Sequence, residues 1–439
     1  MPVMPIGPGG ASGGPGIIDA RTRTPRILYV TPHWPHRATG ASELRAFHIA
    51  DALRAVGDVE VVVIDGEGRP EQGHRRAHNL TVAYSVPVVP HPNDGLRSKL
   101  QWMLDPRRSF PHGCGVDDAA AQRIARTAGE FDLTWFSKLR TANMLPQWSW
   151  PSSVVDIDDV PSTYEKSLLS TELSAAGRAV TYARYLSWKR REQLLGQRFS
   201  VLAVCSEADK RYLRGLGVSV PTHVIPNGAD RPATVPVRRR VTPPRIGFIG
   251  IFDYLPNASG VAWFVRECWP AILRAVPDAR LRLVGRDSDG PLKPEAPGVD
   301  GLGWVDHVND EVSTWSAMIV PIRIGAGTRG KIAQAFGLQV PVVSTTLGAH
   351  GYDPVDGDVM YVADSPDAFV RACVRTIREA DAAQAMAERA WHAFLERWTW
   401  EAIAPRIRAA AAEGLQTGAR RVAGSSGARP SSEKSLTPT

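Results

Sequence analysis

Met318-Ile-Val-Pro-Ile-Arg-Ile-Gly-Ala-Gly-Thr-Arg-Gly-Lys-Ile-Ala-Gln-Ala-Phe-Gly-Leu-Gln-Val-Pro-Val-Val-Ser344 reads as strand, loop, helix and strand. An apolar run ends at Ile324, a glycine-rich turn with two cations follows, a helical pattern starts near Lys331, and Pro341 opens the next strand. Glycines at 325, 327 and 330 remove bulk from the loop, so its backbone can approach a ligand closely. Amides at a helix N-terminus favour phosphate, and Arg329 and Lys331 add two full positive charges. Lys331 and Gln334 share a helix face, while Ile332, Ala335, Phe336 and Gln339 make a separate, mostly apolar stripe. That division leaves one face for a ligand.

Two plainer readings compete. The loop matches G-x-G-x-x-G, but a dinucleotide site needs this motif after the first strand and an acidic residue about twenty positions later. Here the motif comes late, and near that offset stands His350 with no acidic strand end. The other reading is a tight turn that only lets helix and sheet pack. The two cations beside the glycines speak against it.

Of the 439 residues, 43% are hydrophobic and 22% charged, enough chain for two globular domains with tails. The net charge of +7 lies mostly at the ends: residues 1–26 carry +2 and 416–439 carry +3, leaving an ordinary body of +2. That excludes the basic, aromatic-interleaved stripe of a nucleic-acid groove. Cys114, Cys205, Cys268 and Cys373 form no C-x-x-C pair, which fits a reducing compartment. The first residues lack a charged n-region and apolar core, and no run is long enough to span a bilayer. The expectation is a cytoplasmic protein, with peripheral contact at the inner face of a membrane allowed.

Taken in order, a glycine- and proline-rich leader over 1–24 is expected to be disordered. Arg26–Val30 reads as a buried strand, residues 40–53 as a helix with Ser42 as its N-cap, and Val59–Ile64 as a strand. This repeats the arrangement of strand, glycine-bearing loop and helix, whose ligands bind beyond the carboxyl ends of strands. Residues 66–130 give only further strands and helices of the same domain. Phe131–Phe136 and Ser153–Asp159 are strands, the second delivering Asp156, Asp158 and Asp159 to its end. Those carboxylates suit a divalent metal, acceptor hydroxyls or a helix cap. Residues 173–198 are helical with an aromatic face and a basic face, the pattern of a domain helix with a solvated basic side, or of a membrane-surface helix. Residues 231–244 have linker composition, and from Arg245 strands alternate with helices again, one of them running through Trp263, Phe264 and Trp269.

With these pieces assembled, the chain resembles a family 4 glycosyltransferase, and the resemblance spans roughly residues 26–410. It rests on Ile225-Pro-Asn-Gly-Ala-Asp230, on Gly250 with the loop to Asn257, on Gly325-Ala-Gly-Thr-Arg-Gly-Lys331 through Ser344, and on Trp398-Thr-Trp-Glu401. It implies the α/β GT-B fold, two Rossmann-like doubly wound domains facing across a cleft. The implied division is an acceptor-side domain at 25–230, a linker at 231–244, a nucleotide-sugar domain at 245–397, a returning helix at 398–415 and a disordered basic tail at 416–439. The implied activity is retaining, metal-independent transfer from a nucleotide-sugar to a glycan or lipid-linked acceptor, as in surface polysaccharide synthesis, with no resident cofactor. Gly250, Asn257, Gly303, Trp304, Val305, Gly325, Gly327, Thr328 and Gln334 would hold the nucleotide-sugar, Gly303 to Val305 near the base. Arg329 and Lys331 would act on the diphosphate as catalytic cations. Gly40, Ser42, Arg45, Asp156 and Asp158 would line the acceptor side. Where much of the family has two glutamates separated by seven residues, this sequence has Ala326 and Gln334. A non-catalytic nucleotide-binding subunit and a GT-B enzyme of another reaction, such as a sugar-nucleotide epimerase, are the alternatives.

Overall fold

Runs such as Arg26–Thr31 and Trp315–Val320 are buried along almost their whole length, as strands covered by helices on both faces must be. A computed structural model describes residues 23–34, 40–66, 75–77, 80–89, 95–108, 115–353 and 357–426, so the leader except its last two residues, and Cys114, lie outside the described residues. The first sheet comprises β1 (Arg26–Thr31), β2 (Asp58–Asp65), β3 (Arg75–Ala77), β4 (Leu80–Pro87), β5 (Leu133–Phe136), β6 (Ser153–Ile157), β7 (Val201–Val204) and β8 (Thr222–Val224). The second comprises β9 (Arg245–Ile249), β10 (Arg280–Val284), β11 (Val299–Gly301), β12 (Trp315–Val320), β13 (Val342–Ser344) and β14 (Tyr361–Val362).

Strand order is β3-β4-β2-β1-β5-β6-β7-β8 in the first sheet and β11-β10-β9-β12-β13-β14 in the second. All pairings are parallel except β3 with β4. Each order reverses beside its domain's first strand, between β1 and β5 and between β9 and β12. Such switch points open a crevice at the carboxyl ends of the strands. The loops after β1, β5, β9 and β12 are therefore the ones the topology aims at a ligand.

Alternate residues of β1 feed two cores, Leu28 and Val30 on one face and Ile27 and Tyr29 on the other. The helix Trp400–Ser426 completes the second of these by inserting Ile403, Ile407, Ala410 and Ala411, although it follows the second domain in sequence. Its crossing is tight: Ala229 N–H donates to Trp398 O at 3.0 Å, and a Cβ on Gly228 would lie 2.7 Å from Ile403. The helix continues to Ser426, which corrects the tail expected from residue 416. The helix through Trp263, Phe264 and Trp269 is interrupted by a π-helical stretch, Phe264–Cys268, just before Pro270, which has no N–H to continue the α pattern.

A second correction concerns the helix Ala41–Leu53. Gly40, not Ser42, occupies its N-cap, and Arg45 and Asp156 do not line the cleft. Both are buried and clamp each other in two parallel hydrogen bonds, Nε to Oδ2 at 2.8 Å and Nη2 to Oδ1 at 2.6 Å. The remaining Arg45 hydrogens reach Ile225 O at 3.0 Å, Pro226 O at 3.1 Å and Asn227 Oδ1 at 3.1 Å. One guanidinium thus ties the first helix, β6 and the chain leaving β8 together.

Removing one member of such a pair strands a charge in the core. Asp156→Ala is expected to cost about 3–5 kcal/mol of first-domain stability, read as a lower urea midpoint. A midpoint equal to that of the unaltered protein would show that the clamp carries no load.

Candidate active-site cleft

Glycine is required in the β12 loop at two positions, Gly325 at φ 127° and Gly327 at φ 73°. The loop meets the first domain there. Gly325 N–H donates to Ser167 Oγ at 2.8 Å, and a Cβ on Gly327 would lie 1.9 Å from Asp159 Oδ1 and 2.8 Å from Asp158 O. Asn227 approaches Thr328 from the far end of the first domain, its N–H and its Nδ2 each 3.4 Å from a Thr328 oxygen. Among the described residues no protein group takes the amides of Gly327 or Thr328. The helix Gly330–Gly337 starts here, and a Cβ on Gly330 would touch Ala41 of the helix Ala41–Leu53 at 3.8 Å. Two helix N-termini, both partially positive, thus meet across the cleft.

Two cations occupy that junction. Arg329 is nine-tenths buried; one nitrogen donates to Ala326 O at 2.8 Å, while Nε and Nη2 have no hydrogen-bond partner. Tyr352 fixes the backbone beneath it, donating to Arg329 O at 2.9 Å and accepting from Ala333 N–H at 3.2 Å. Lys331 donates to Asn257 Oδ1 at 3.0 Å and lies 3.7 Å from the centre of the Phe248 ring. Lys331 is half-buried, and desolvation in the cleft with the charge of Arg329 holds it well below the usual lysine range. Asn257 is itself held by Nδ2 on Ile251 O at 2.9 Å. Lys331 therefore leans toward the loop after β9, and among the described residues no hydrogen bond joins its side chain to the partly exposed Gln334.

On the first-domain wall, Lys138 ends β5 in an unusual backbone state for a non-glycine residue, φ 69°. That turn directs its ammonium to Ser42 Oγ at 3.0 Å and to Asp158 Oδ2 at 3.5 Å. Against the penalty of burial, Lys138 and Arg45, with the Asn227 amide, hold the Asp158 carboxyl well below the usual range. Asp159 stays open to solvent along the cleft, yet enclosure by the cleft walls and repulsion from Asp158 push its carboxyl up to about 7. The three carboxylates of the β6 end thus part ways: one clamps Arg45, one pairs with Lys138, and one faces Gly327. Tyr254 from the second domain stands near Asp159, and burial with that negative charge pushes its hydroxyl up to about 12. His350 reaches back across the cleft, its Nε2 3.0 Å from Asp209 Oδ1 and 3.3 Å from Ser206 Oγ.

The structure therefore brings Gly40, Ser42, Asp158, Gly325, Gly327, Thr328 and Arg329 to one junction, with Lys331, Asn257 and Gly250 behind it. Gly303 is different. Its N–H donates to Ser288 Oγ at 2.9 Å and its carbonyl accepts from Gly285 at 2.8 Å, so both main-chain groups are spent on the fold. Its two followers are more open, Trp304 being largely exposed and Val305 half-buried. Sequence reasoning assigned no role to Lys138, Ser167, Asp209, Tyr254 or His350. The only signal for Lys138 and Asp159 was their place just past strand ends.

Residues 243–379 match the family model described as Glycosyl transferases group 1. No curated protein matches the sequence. Among solved structures, a sucrose-phosphate synthase from Thermosynechococcus elongatus superposes with a TM-score of 0.61 at 15% identity, covering 92% of this chain and 100% of that one. HepE from Anabaena in complex with UDP-glucose gives 0.56 at 15%, covering 90% and 100%. WaaG, a glycosyltransferase involved in lipopolysaccharide biosynthesis, gives 0.57 at 12%, covering 88% and 99%. At these identities the likeness shows the fold.

Gly327→Ala would drive a methyl group into Asp159 at the point where the domains touch. The expected result is a cleft forced open, seen as a larger radius of gyration in solution scattering, with a loss of about 1–3 kcal/mol in stability. Identical scattering and stability would contradict this contact.

Proposed function

We propose, from the GT-B fold and the match of residues 243–379 to the Glycosyl transferases group 1 model, that this chain transfers a sugar from a nucleotide-sugar, with retention, to a glycan or lipid-linked acceptor in surface polysaccharide synthesis. The observation that carries the reading is the junction of Arg329 and Lys331 with the free amides of Gly327 and Thr328. Two cations this poorly compensated need an anion, and the diphosphate of a nucleotide-sugar supplies one. Transfer requires no resident metal or cofactor in this scheme, since the charge a metal would supply comes from these two side chains.

The chemistry follows from where charge develops. As the bond between the anomeric carbon and the phosphate oxygen breaks, negative charge gathers on the leaving diphosphate, and fixed cations and amides stabilise it there. The acceptor hydroxyl attacks from the same face as the departing group, its oxygen bonds the anomeric carbon, and its proton passes to the leaving phosphate oxygen. Contact between Gly325 and Ser167 joins the two domains beside this centre, and tightening of the cleft there on binding would exclude water. HepE has been crystallised with UDP-glucose and with UDP, which makes UDP-sugars the first to test. A non-catalytic nucleotide-binding subunit is the second reading, favoured by Gln334, whose neutral amide would bond ribose hydroxyls more weakly than a carboxylate.

Melting curves and sugar release measured with UDP-, GDP-, dTDP- and ADP-sugars separate the two, because a ligand bound to the folded state raises its melting temperature. A shift with turnover supports the enzyme; a shift without turnover under any acceptor supports the subunit. Lys331→Ala is expected to keep the fold and lose turnover by about a hundredfold or more, the scale of one lost charge-stabilising group. Near-normal transfer by that variant would sink the assignment.

Binding should also take up protons. Asp159 has a raised pKa and Lys331 a lowered one, and an anion beside them favours the protonated form of each, so both pKa values rise on binding. Affinity is therefore expected to increase as pH falls from about 8 toward 6, around the Asp159 value. Calorimetry in buffers of different ionisation enthalpy reads the uptake directly, and Asp159→Asn should reduce it. Proton release on binding would contradict the placement of the diphosphate.

A further inference from the structure

The helix Leu96–Leu104 is turned inside out relative to an ordinary surface helix. Ser98 and Trp102 face inward and are buried, while Leu96, Leu100 and Leu104, each four residues apart, are 76%, 50% and 74% exposed. At 3.6 residues per turn, Lys99 borders this leucine stripe on one side and Arg97 on the other. The helix is firmly held: Trp102 meets the Trp188 ring edge to face at 5.3 Å, and Arg191 stacks over Trp102 at 4.0 Å while donating to Asp105 O at 2.7 Å. The supporting helix, Ala175–Gln193, exposes Val180, Tyr182 and Leu186 in its turn. Together the two helices carry seven lysines and arginines, of which Arg191 is buried against Trp102 and Arg184 pairs with the buried Glu165 at 2.6 Å; their one acid, Glu192, is buried, and Asp105 follows the first helix at its C-cap.

We propose that the leucine stripe of Leu96–Leu104, flanked by the cations of these two helices, lies in the surface of an anionic lipid bilayer. Exposed leucines cost free energy in water and gain it among acyl chains, and the flanking cations meet lipid phosphates at the same depth. A second copy of this chain fits worse, because two such faces would place basic residues against basic residues. Among the described residues no helix is long and apolar enough to cross a membrane, so the contact is in-plane. The helix Pro161–Leu168, which supplies Ser167 to the cleft, packs on Ala175–Gln193, so the bilayer face stands one helix away from the contact of Ser167 with Gly325. This inference goes beyond the transferase reading and does not depend on it.

Co-sedimentation with vesicles tests it. The full chain is expected to bind vesicles of equal parts phosphatidylcholine and phosphatidylglycerol, to bind phosphatidylcholine alone much less, and to weaken with salt. The triple variant Leu96→Gln, Leu100→Gln, Leu104→Gln should lose about tenfold or more in partitioning, with unchanged melting temperature and unchanged nucleotide-sugar shift. Arg97→Glu with Lys99→Glu should abolish the preference for anionic lipid. Absence of binding to the anionic vesicles, or equal binding by the triple variant, would overturn the proposal. Light scattering that finds a dimer dissolved by the leucine changes would overturn it in favour of self-association. Loss of the nucleotide-sugar shift with intact vesicle binding would instead count against the transferase reading alone.

Discussion

The cleft depends on positive charge held out of water before any ligand arrives. Arg329 keeps two guanidinium nitrogens unpartnered and Lys331 is driven toward its neutral form, both beside a helix start that is itself partly positive. Uncompensated burial of this kind is a cost, and it persists only where the surrounding structure overrides it. Here the override is visible: Tyr352 pins the Arg329 backbone, Asn257 receives the Lys331 ammonium, and the Phe248 ring lies against it. Preorganisation is the return on that cost, since these groups need no rearrangement when negative charge appears.

Holding the charge in register with the opposite wall falls to the first domain and to the two chain crossings. Arg45 ties the start of the first helix to β6 and to residues 225–227, and residue 227 of that same segment touches Thr328. Gly228 then lets the outgoing crossing press against the returning one at Trp398 and Ile403. A rigid path therefore runs from the first-domain wall, through its exit segment, to the loop that carries Arg329. His350, paired with Asp209 and Ser206, adds a polar contact between the same two walls.

Much of this was legible in the sequence because it is local. Buried strands announced themselves as apolar runs, the helix after β12 by its periodicity, and the turn between them by its glycines. What escaped was set by distance along the chain. Nothing near Arg45 or Asp156 signals that residues 111 apart will neutralise each other, which is why acidic residues at a strand end read as ligand groups. Gly303 escaped for a similar reason, its main chain being claimed by Ser288 and Gly285. The helix Leu96–Leu104 was hidden among prolines and histidines, and its leucines face the wrong way for any rule that puts them inside. The helix to Ser426 passed for a tail because residues 416–426 are mostly small or basic, yet Gly414 and Gly418 fit it against β6 and Ser152 without a side chain between.

The position of Lys331 bears on the missing glutamates. A carboxylate at residue 334 would sit three residues along the same helix from Lys331, whose ammonium pairs with no carboxylate among the described residues, and would add negative charge to a helix start that now carries none. With glutamine there, and alanine at 326, the loop after β12 and the helix that follows it carry no carboxylate, while Asp158 and Asp159 stand on the first domain. Asp158 is committed to Lys138, which leaves Asp159 as the negative group facing the β12 loop, and its raised pKa keeps a neutral form within reach near pH 7. Because Lys138 on the first-domain wall is paired with Asp158, the cations left to face an anion are those of the second domain, and closing the domains on an anion would both neutralise them and favour protonation of Asp159.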